Sequence, residues 1–261
     1  MKNTIIIPDV HGRSFWKDAI PYVKGGTPCI FLGDYIDPYE FENISSLDSY
    51  NNLYEILAFA REYRDRVTLL LGNHDLSYLG DPMGIWSVFA NRFCYEYADI
   101  ISEDLNDNID LLSLCTSRVI GGKQFLFSHA GIHPVWLAWC NLLDDDALAQ
   151  DASRLAERIN SLFRQSFYAS ERTEFMDALA MVSSFRGGDA PIGSMVWADA
   201  DEFADVNRTY TQIFGHTMQL DDSGNSAPLR IGNNICVDCQ CCFYLDQKGT
   251  LRYLENDKQA I

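Results

Sequence analysis

Asp9 and His11 stand two residues apart, and in extended backbone positions i and i+2 point the same way, so a carboxylate and an imidazole can reach one cation. Asp34 adds a second carboxylate, whose two oxygens can bridge two metals. Asn73 offers a neutral oxygen, and His129 and His216 offer nitrogen. The donor set mixes nitrogen and oxygen without a thiolate, which favours Mn, Fe or Zn over an all-oxygen Mg or Ca site. Two divalent cations against two carboxylates leave a net positive centre that can hold a hydroxide and still attract a phosphate. Such ions lower the pKa of bound water towards ~7 and, about 3.5–4 Å apart, clamp attacking and leaving oxygens. His74 adjoins Asn73, and neighbours on an extended segment diverge. If Asn73 ligates, His74 faces the substrate and, when protonated, can donate to a leaving alkoxide as general acid. Asp37, three residues beyond Asp34, can hydrogen-bond that imidazole and raise its pKa.

The elements that must position these groups are short apolar runs. Residues 4–8 precede Asp9 and His11, 29–32 precede Asp34, and 68–71 precede Asn73 and His74. Residues 124–127 precede His129, and 210–214 precede His216. Four of the five histidines sit at these ends. Buried strands aligned in a sheet bring their ends to one edge, so residues distant in sequence come to share a site. Between them, residues 14–23 predict a helix broken at Gly25 and Gly26. Residues 46–65 carry Leu47, Tyr50, Leu53, Tyr54, Leu57 and Ala58 at helical spacing. Strand–helix alternation of this kind predicts an α/β fold with helices on the sheet faces. The aromatic segment 83–98, with Trp86, Phe89, Phe93, Tyr95 and Tyr97, reads as helical packing. Residues 118–127 read as a hairpin turning at Gly121 and Gly122, and 134–181 as two or three helices broken near Asp144 and Asp146. Further strands are expected at 235–238, 243–245 and 250–254. The reading is one domain, 1–261, with a helical segment at about 134–190.

With 20 Lys and Arg against 37 Asp and Glu, the formal charge is −17. That surface repels nucleic acid polymers and anionic membranes, and its direct consequence is solubility. No stretch resembles a secretory leader or a membrane span. Eight cysteines in 261 residues do not make a small disulfide scaffold. The expected compartment is the cytoplasm.

Asp9-Val10-His11-Gly12, Gly33-Asp34-Tyr35-Ile36-Asp37, Gly72-Asn73-His74-Asp75, Ser128-His129-Ala130-Gly131 and Gly215-His216-Thr217 occur in the order of the calcineurin-like metallophosphoesterases. Within that superfamily the chain most resembles the phosphoprotein phosphatase branch, which includes protein Ser/Thr phosphatases and symmetrical dinucleoside tetraphosphatases. The resemblance implies a four-layer αββα sandwich of two mixed β-sheets flanked by helices. It implies that Asp9, His11 and Asp34 hold one metal, that Asp34, Asn73, His129 and His216 hold the other, and that Asp34 bridges. It also implies His74 as the acid and Asp37 as its partner.

The chain departs from the branch at its phosphate-binding arginines. Gly-Asp-x-x-Asp usually continues Arg-Gly, but Pro38 and Tyr39 stand there. The Trp-x-Arg of phage-like members is replaced by Trp197-Ala198-Asp199. Arg186, beside Gly187 and Gly188, and Arg208 are candidate replacements for substrate binding. Cys236, Cys239, Cys241 and Cys242 do not follow a structural zinc spacing, and they read as residues packed in or near a strand. His133 reads as a polar loop residue.

The leading expectation is a two-metal phosphatase. It would hydrolyse phosphate monoesters of a phosphoprotein or small molecule by direct attack of metal-bound hydroxide. A dinucleoside tetraphosphate hydrolase is the alternative. A metal-binding scaffold with little turnover is a third, motivated by the missing arginines.

Overall fold

The computed structural model describes residues 3–79, 92–143, 146–204, 206, 209–220 and 226–254. Trp86, Phe89 and Arg208 lie outside the described residues. The strands in chain order are β1 (Thr4–Ile7), β2 (Cys29–Phe31), β3 (Val67–Leu70), β4 (Leu112–Ser113), β5 (Cys115–Ile120), β6 (Lys123–Ser128), β7 (Thr211–Phe214), β8 (Leu229–Ile231), β9 (Asn234–Cys236), β10 (Phe243–Leu245) and β11 (Leu251–Tyr253). They form two mixed sheets with flanking helices, as the alternating pattern and the resemblance predict. Each sheet belongs to one of two compact units, Met1–Ser113 with Gln240–Ile261, and Leu114–Cys239.

The first unit carries the six-stranded sheet β11-β10-β1-β2-β3-β4. Strands β1 to β4 run parallel, β10 pairs antiparallel with β1, and β11 pairs antiparallel with β10. Parallel strands covered on both faces read as continuous apolar runs, and all four residues of β1 are buried. Ile7 registers with Phe31, and Phe31 with Leu69, so the chain leaves all three strands at one edge. The helix Ser46–Glu62 begins at Ser45, whose Oγ accepts from Asp48 N at 3.1 Å. It buries Leu53, Ile56, Leu57 and Ala60, one face at 3.6-residue spacing. Trp16 packs between Phe31 and Phe59 and donates its indole N–H to Asn52 at 2.9 Å.

The second unit carries the sheet β5-β6-β7-β9-β8. The hairpin β5–β6 turns at Gly121 and Gly122, with Ile120 opposite Lys123. Strands β6, β7 and β9 are parallel, so His129 and His216 leave the sheet at one edge. Gln212 on β7 ties that edge together: its Oε1 accepts from Ile132 N and its Nε2 donates to Asn234, both at 2.9 Å. Among the described residues, 134–181 hold four α-helical segments rather than two or three: Pro134–Trp139, Asp146–Ala149, Ala152–Phe167 and Glu174–Leu179. The extra boundaries come from side-chain caps. Asp151 accepts from Ser153 N and Arg154 N, and Thr173 accepts from Met176 N, each opening a fresh helix. Asn160 fixes the helix Ala152–Phe167 to the sheet, accepting from Leu114 N and donating to Cys115 O.

Candidate metal centre

In the first unit, three loops leave one sheet edge and hold one another by backbone bonds. Val10 N and His11 N both donate to Asp34 O, at 3.0 and 2.7 Å, and Gly12 N donates to Tyr35 O. Asp75 then clasps the loops after β2 and β3. Its carboxylate accepts from Asp34 N, Tyr35 N and Gly72 N at 2.7, 2.9 and 2.8 Å. The glycines are there because these loops nearly touch. A Cβ on Gly33 would meet Gly72 N at 2.4 Å, and a Cβ on Gly72 would meet Asp34 Oδ1 at 2.0 Å.

The clasped backbone is strained where the site residues sit. His11, Asp34 and Asp37 have φ of 45°, 51° and 59°, and His216 in the second unit has 66°. Positive φ in residues with a Cβ costs about 1–3 kcal/mol each and persists where surrounding bonds over-determine it.

Those bonds aim the side chains at one another. Ligand atoms of Asp9, His11 and Asp34 lie within 4.8 Å of one another, all three residues buried. His11 Nδ1 lies 2.8 Å from Ile36 O, so the carbonyl places the proton there and leaves the lone pair on Nε2. Nε2 faces Asp34 Oδ2 at 3.6 Å, beyond a hydrogen bond. Burial pushes the His11 pKa well below the ordinary histidine value despite the nearby Asp34 carboxylate, so the ring is neutral. A neutral imidazole and a buried carboxylate presenting lone pairs to each other fit a cation between them. The donor types also fit, since both suit Mn, Fe or Zn.

Asn73 and His74 open the short helix Asn73–Leu76. His74 N donates to Asp34 Oδ1 at 3.0 Å. The His74 ring turns to Asp37, donating from Nδ1 to Oδ2 at 2.7 Å. The other oxygen of Asp37 accepts from Tyr78 Oη at 2.5 Å, and Tyr78 Oη itself accepts from Cys94 N at 2.6 Å. Burial works against charging His74, but Asp34 and then Asp37 outweigh it, so its pKa lies above the ordinary value. Arg92 Nη2 lies 3.0 Å from His74 Nε2.

In the second unit, His129 Nε2 and His216 Nδ1 converge to 3.1 Å, and both rings are buried. That spacing suits two ligands of one ion with metal–nitrogen bonds of ~2 Å. Gly215 N donates to His129 O at 2.7 Å, which couples the two loops. Arg186 supports the same loop. Its Nη2 donates to Thr217 Oγ1 at 2.8 Å and to His216 O at 3.3 Å, while Nε pairs with Asp199 Oδ2 at 2.8 Å. Cys236 donates its thiol to Gly215 O and Thr217 O, and Cys242, in the first unit, to Phe15 O. His133 caps Pro134–Trp139, accepting from Val135 N at 3.1 Å.

Sequence reasoning missed Asp75, Tyr78 and Arg92. Asp75 had a signal, since an acidic residue at the third position of a helix reaches back to the cap N–H. Tyr78 and Arg92 had none, because only the fold brings Tyr78 to Asp37 and Arg92 to His74.

Two mixed sheets carry carboxylate, amide and imidazole side chains at the ends of their parallel strands, donor types that suit a divalent cation. The chain belongs to the calcineurin-like phosphoesterases, whose family profile matches residues 2–220. It is 25% identical over 240 residues to a symmetrical bis(5'-nucleosyl)-tetraphosphatase of Erwinia tasmaniensis, covering 79% of this chain and 80% of that protein. It is also 25% identical over 221 residues to the PP2A-like serine/threonine-protein phosphatase PPG1 of Candida albicans, covering 82% of this chain and 46% of that protein. The latter match agrees with the phosphoprotein phosphatase-like branch indicated by the motifs. A solved serine/threonine phosphatase of Saccharomyces cerevisiae, described as similar to human PP5, overlays with a TM-score of 0.44 at 15% identity, over 94% of this chain and 73% of that one. Among the described residues, no helix is long and apolar enough to cross a membrane.

Proposed function

We propose that this chain is a two-metal phosphomonoesterase of the Ser/Thr protein phosphatase type, acting on a phosphoprotein or a small phosphate ester. Asp9, His11 and Asp34 hold one divalent cation, Mn, Fe or Zn. Asp34, Asn73, His129 and His216 hold the second. When bound, the cations supply an activated water and polarise the phosphoryl group. The chain's own residues then handle the leaving group. Asp37, fixed by Tyr78, orients the imidazole through Nδ1. His74 presents Nε2 to the ester oxygen and donates its proton as the P–O bond breaks. The single observation that carries this reading is the Tyr78–Asp37–His74 relay beside the Asp9, His11 and Asp34 cluster. A merely structural metal site has no need of such an oriented acid.

The second reading, a dinucleoside tetraphosphate hydrolase, is favoured by the length match, since the tetraphosphatase relative is covered over 80% of its length. One panel separates the two. Phosphopeptides, sugar phosphates, nucleotides and a dinucleoside tetraphosphate are incubated with the chain and Mn²⁺. Inorganic phosphate from the monoesters supports the first reading. Nucleoside diphosphate from the tetraphosphate alone supports the second, because symmetric cleavage frees no phosphate. No product from any of them leaves a metal-holding scaffold.

A further inference from the structure

We propose that Arg92 is the phosphate-binding arginine of this site, delivered by a different segment from the one the branch uses and held by Tyr39. The inference rests on the phosphoesterase reading above and names the group that captures the phosphate.

The resemblance expects an arginine at position 38, where Pro38 stands, and Tyr39 follows it. The Tyr39 ring is the platform for two guanidinium groups of the same unit. Arg92 Cζ lies 3.6 Å from the ring centroid, and Arg13 Cζ lies 5.5 Å from it. Tyr39 also meets His11 edge-on at 5.2 Å, so the platform borders the ligand cluster. Stacking fixes the plane of a guanidinium while leaving its N–H edge free for a bidentate anion.

Their surroundings separate the two arginines. Arg13 already has an anion, with Nε 2.5 Å from Glu42 Oε1 and Nη1 on Asp9 O. Arg92 has none among the described residues. Its Nη2 lies 3.0 Å from His74 Nε2, an acceptor only while the imidazole is neutral and a second positive donor once it is protonated, and its buried Nη1 has no hydrogen-bond partner. A half-buried cation without a carboxylate, bearing an orphaned N–H, is an unfavourable arrangement that an anionic ligand would relieve. It also stands at the atom that faces the leaving group. A phosphate ester approaching His74 Nε2 meets Arg92 first, and its oxygens can replace the imidazole as the acceptor for Nη2 and satisfy Nη1. Arg186, the candidate from sequence, is engaged by Asp199, Thr217 and the His216 carbonyl.

The test is inorganic phosphate binding to the full Mn²⁺-loaded chain by calorimetry, with manganese content measured on the same samples. Arg92→Ala should weaken phosphate about 10- to 100-fold, the range for losing charge-assisted hydrogen bonds. Manganese content should not change. Arg92→Lys should fall between, because a point charge replaces the fork, and Tyr39→Leu should lose a smaller part. For any ester the wild type cleaves, Arg92→Ala should raise KM. If Arg92→Ala does not fold, the lysine and Tyr39 variants carry the test. Wild-type affinity in Arg92→Ala, no phosphate binding by the wild type, or a loss that accompanies lost manganese would each overturn the assignment. Phosphate binding lost in Arg92→Ala by a chain that cleaves no ester would uphold Arg92 and sink the phosphoesterase reading instead.

Discussion

The edge after β1, β2 and β3 and the edge after β6 and β7 solve the same problem by different means. Both hold metal-type side chains on strained loops at the ends of parallel strands. The first braces its loops with a fully buried carboxylate, Asp75, which accepts three backbone N–H groups. The second braces its loop with a partly exposed ion pair, Arg186–Asp199, and with the Arg186 and Cys236 bonds to the 215–217 backbone. The first edge also carries His74, the proposed acid, oriented by Asp37, whereas the second supplies two imidazoles. Where chemistry needs a proton placed at one atom, the fold uses buried, charge-assisted bonds. Where it needs only nitrogen ligands, a softer brace suffices.

The comparison is sharpened most by Asp75→Ala. Three buried N–H groups would lose their acceptor at about 1–3 kcal/mol each, so denaturant unfolding should show a loss of about 3 kcal/mol or more. A loss under 1 kcal/mol would break the claimed asymmetry. Next is His74→Asn, expected to lower kcat by about 10²- to 10⁴-fold on alkyl phosphates. It should slow nitrophenyl phosphate less, because nitrophenolate leaves without help, and bound metal should not change. Equal slowing of both substrates would remove the acid role. Asp37→Asn comes third. Asp37 raises the His74 pKa, so the protonated acid persists above the ordinary histidine range and activity falls as pH rises through that raised pKa. Removing the carboxylate moves this alkaline limb to lower pH, and an unmoved limb in the pH–rate profile would contradict the pairing. The smallest effect is expected in the second unit. Arg186→Ala should cost about 1 kcal/mol or less in thermal or denaturant unfolding, the range for partly exposed ion pairs. A loss as large as that of Asp75→Ala would erase the difference between the two edges.

What was legible in the sequence follows the same division. The strands could be read because β1, β2 and β3 are covered on both faces and so appear as unbroken apolar runs. Polar residues directly after such runs had few other places to be. The hairpin was legible at Gly121 and Gly122 because two glycines at positive φ make a turn without steric penalty. The helix boundaries after Pro134 do not show in the apolar spacing, because the side-chain caps Asp151 and Thr173 set them. Arg92 was not legible: eighteen residues separate it from His74, and no periodicity links them. The Arg186–Asp199 pair was likewise invisible, since the twelve intervening positions carry no trace of the loop that joins them. The proposed ligands could be singled out because they stand at strand ends, while the groups proposed to orient them and meet the phosphate depend on tertiary contact.

One titration decides whether this chain hydrolyses phosphate esters with two cations. Metal-free chain is titrated with Mn²⁺ while bound metal per chain and phosphate release are read on the same samples. Two bound ions are expected, with activity rising as the second site fills, and in Asp9→Asn a parallel loss of metal and activity. Full phosphate release from the metal-free chain, or from Asp9→Asn with unchanged metal content, would contradict this expectation.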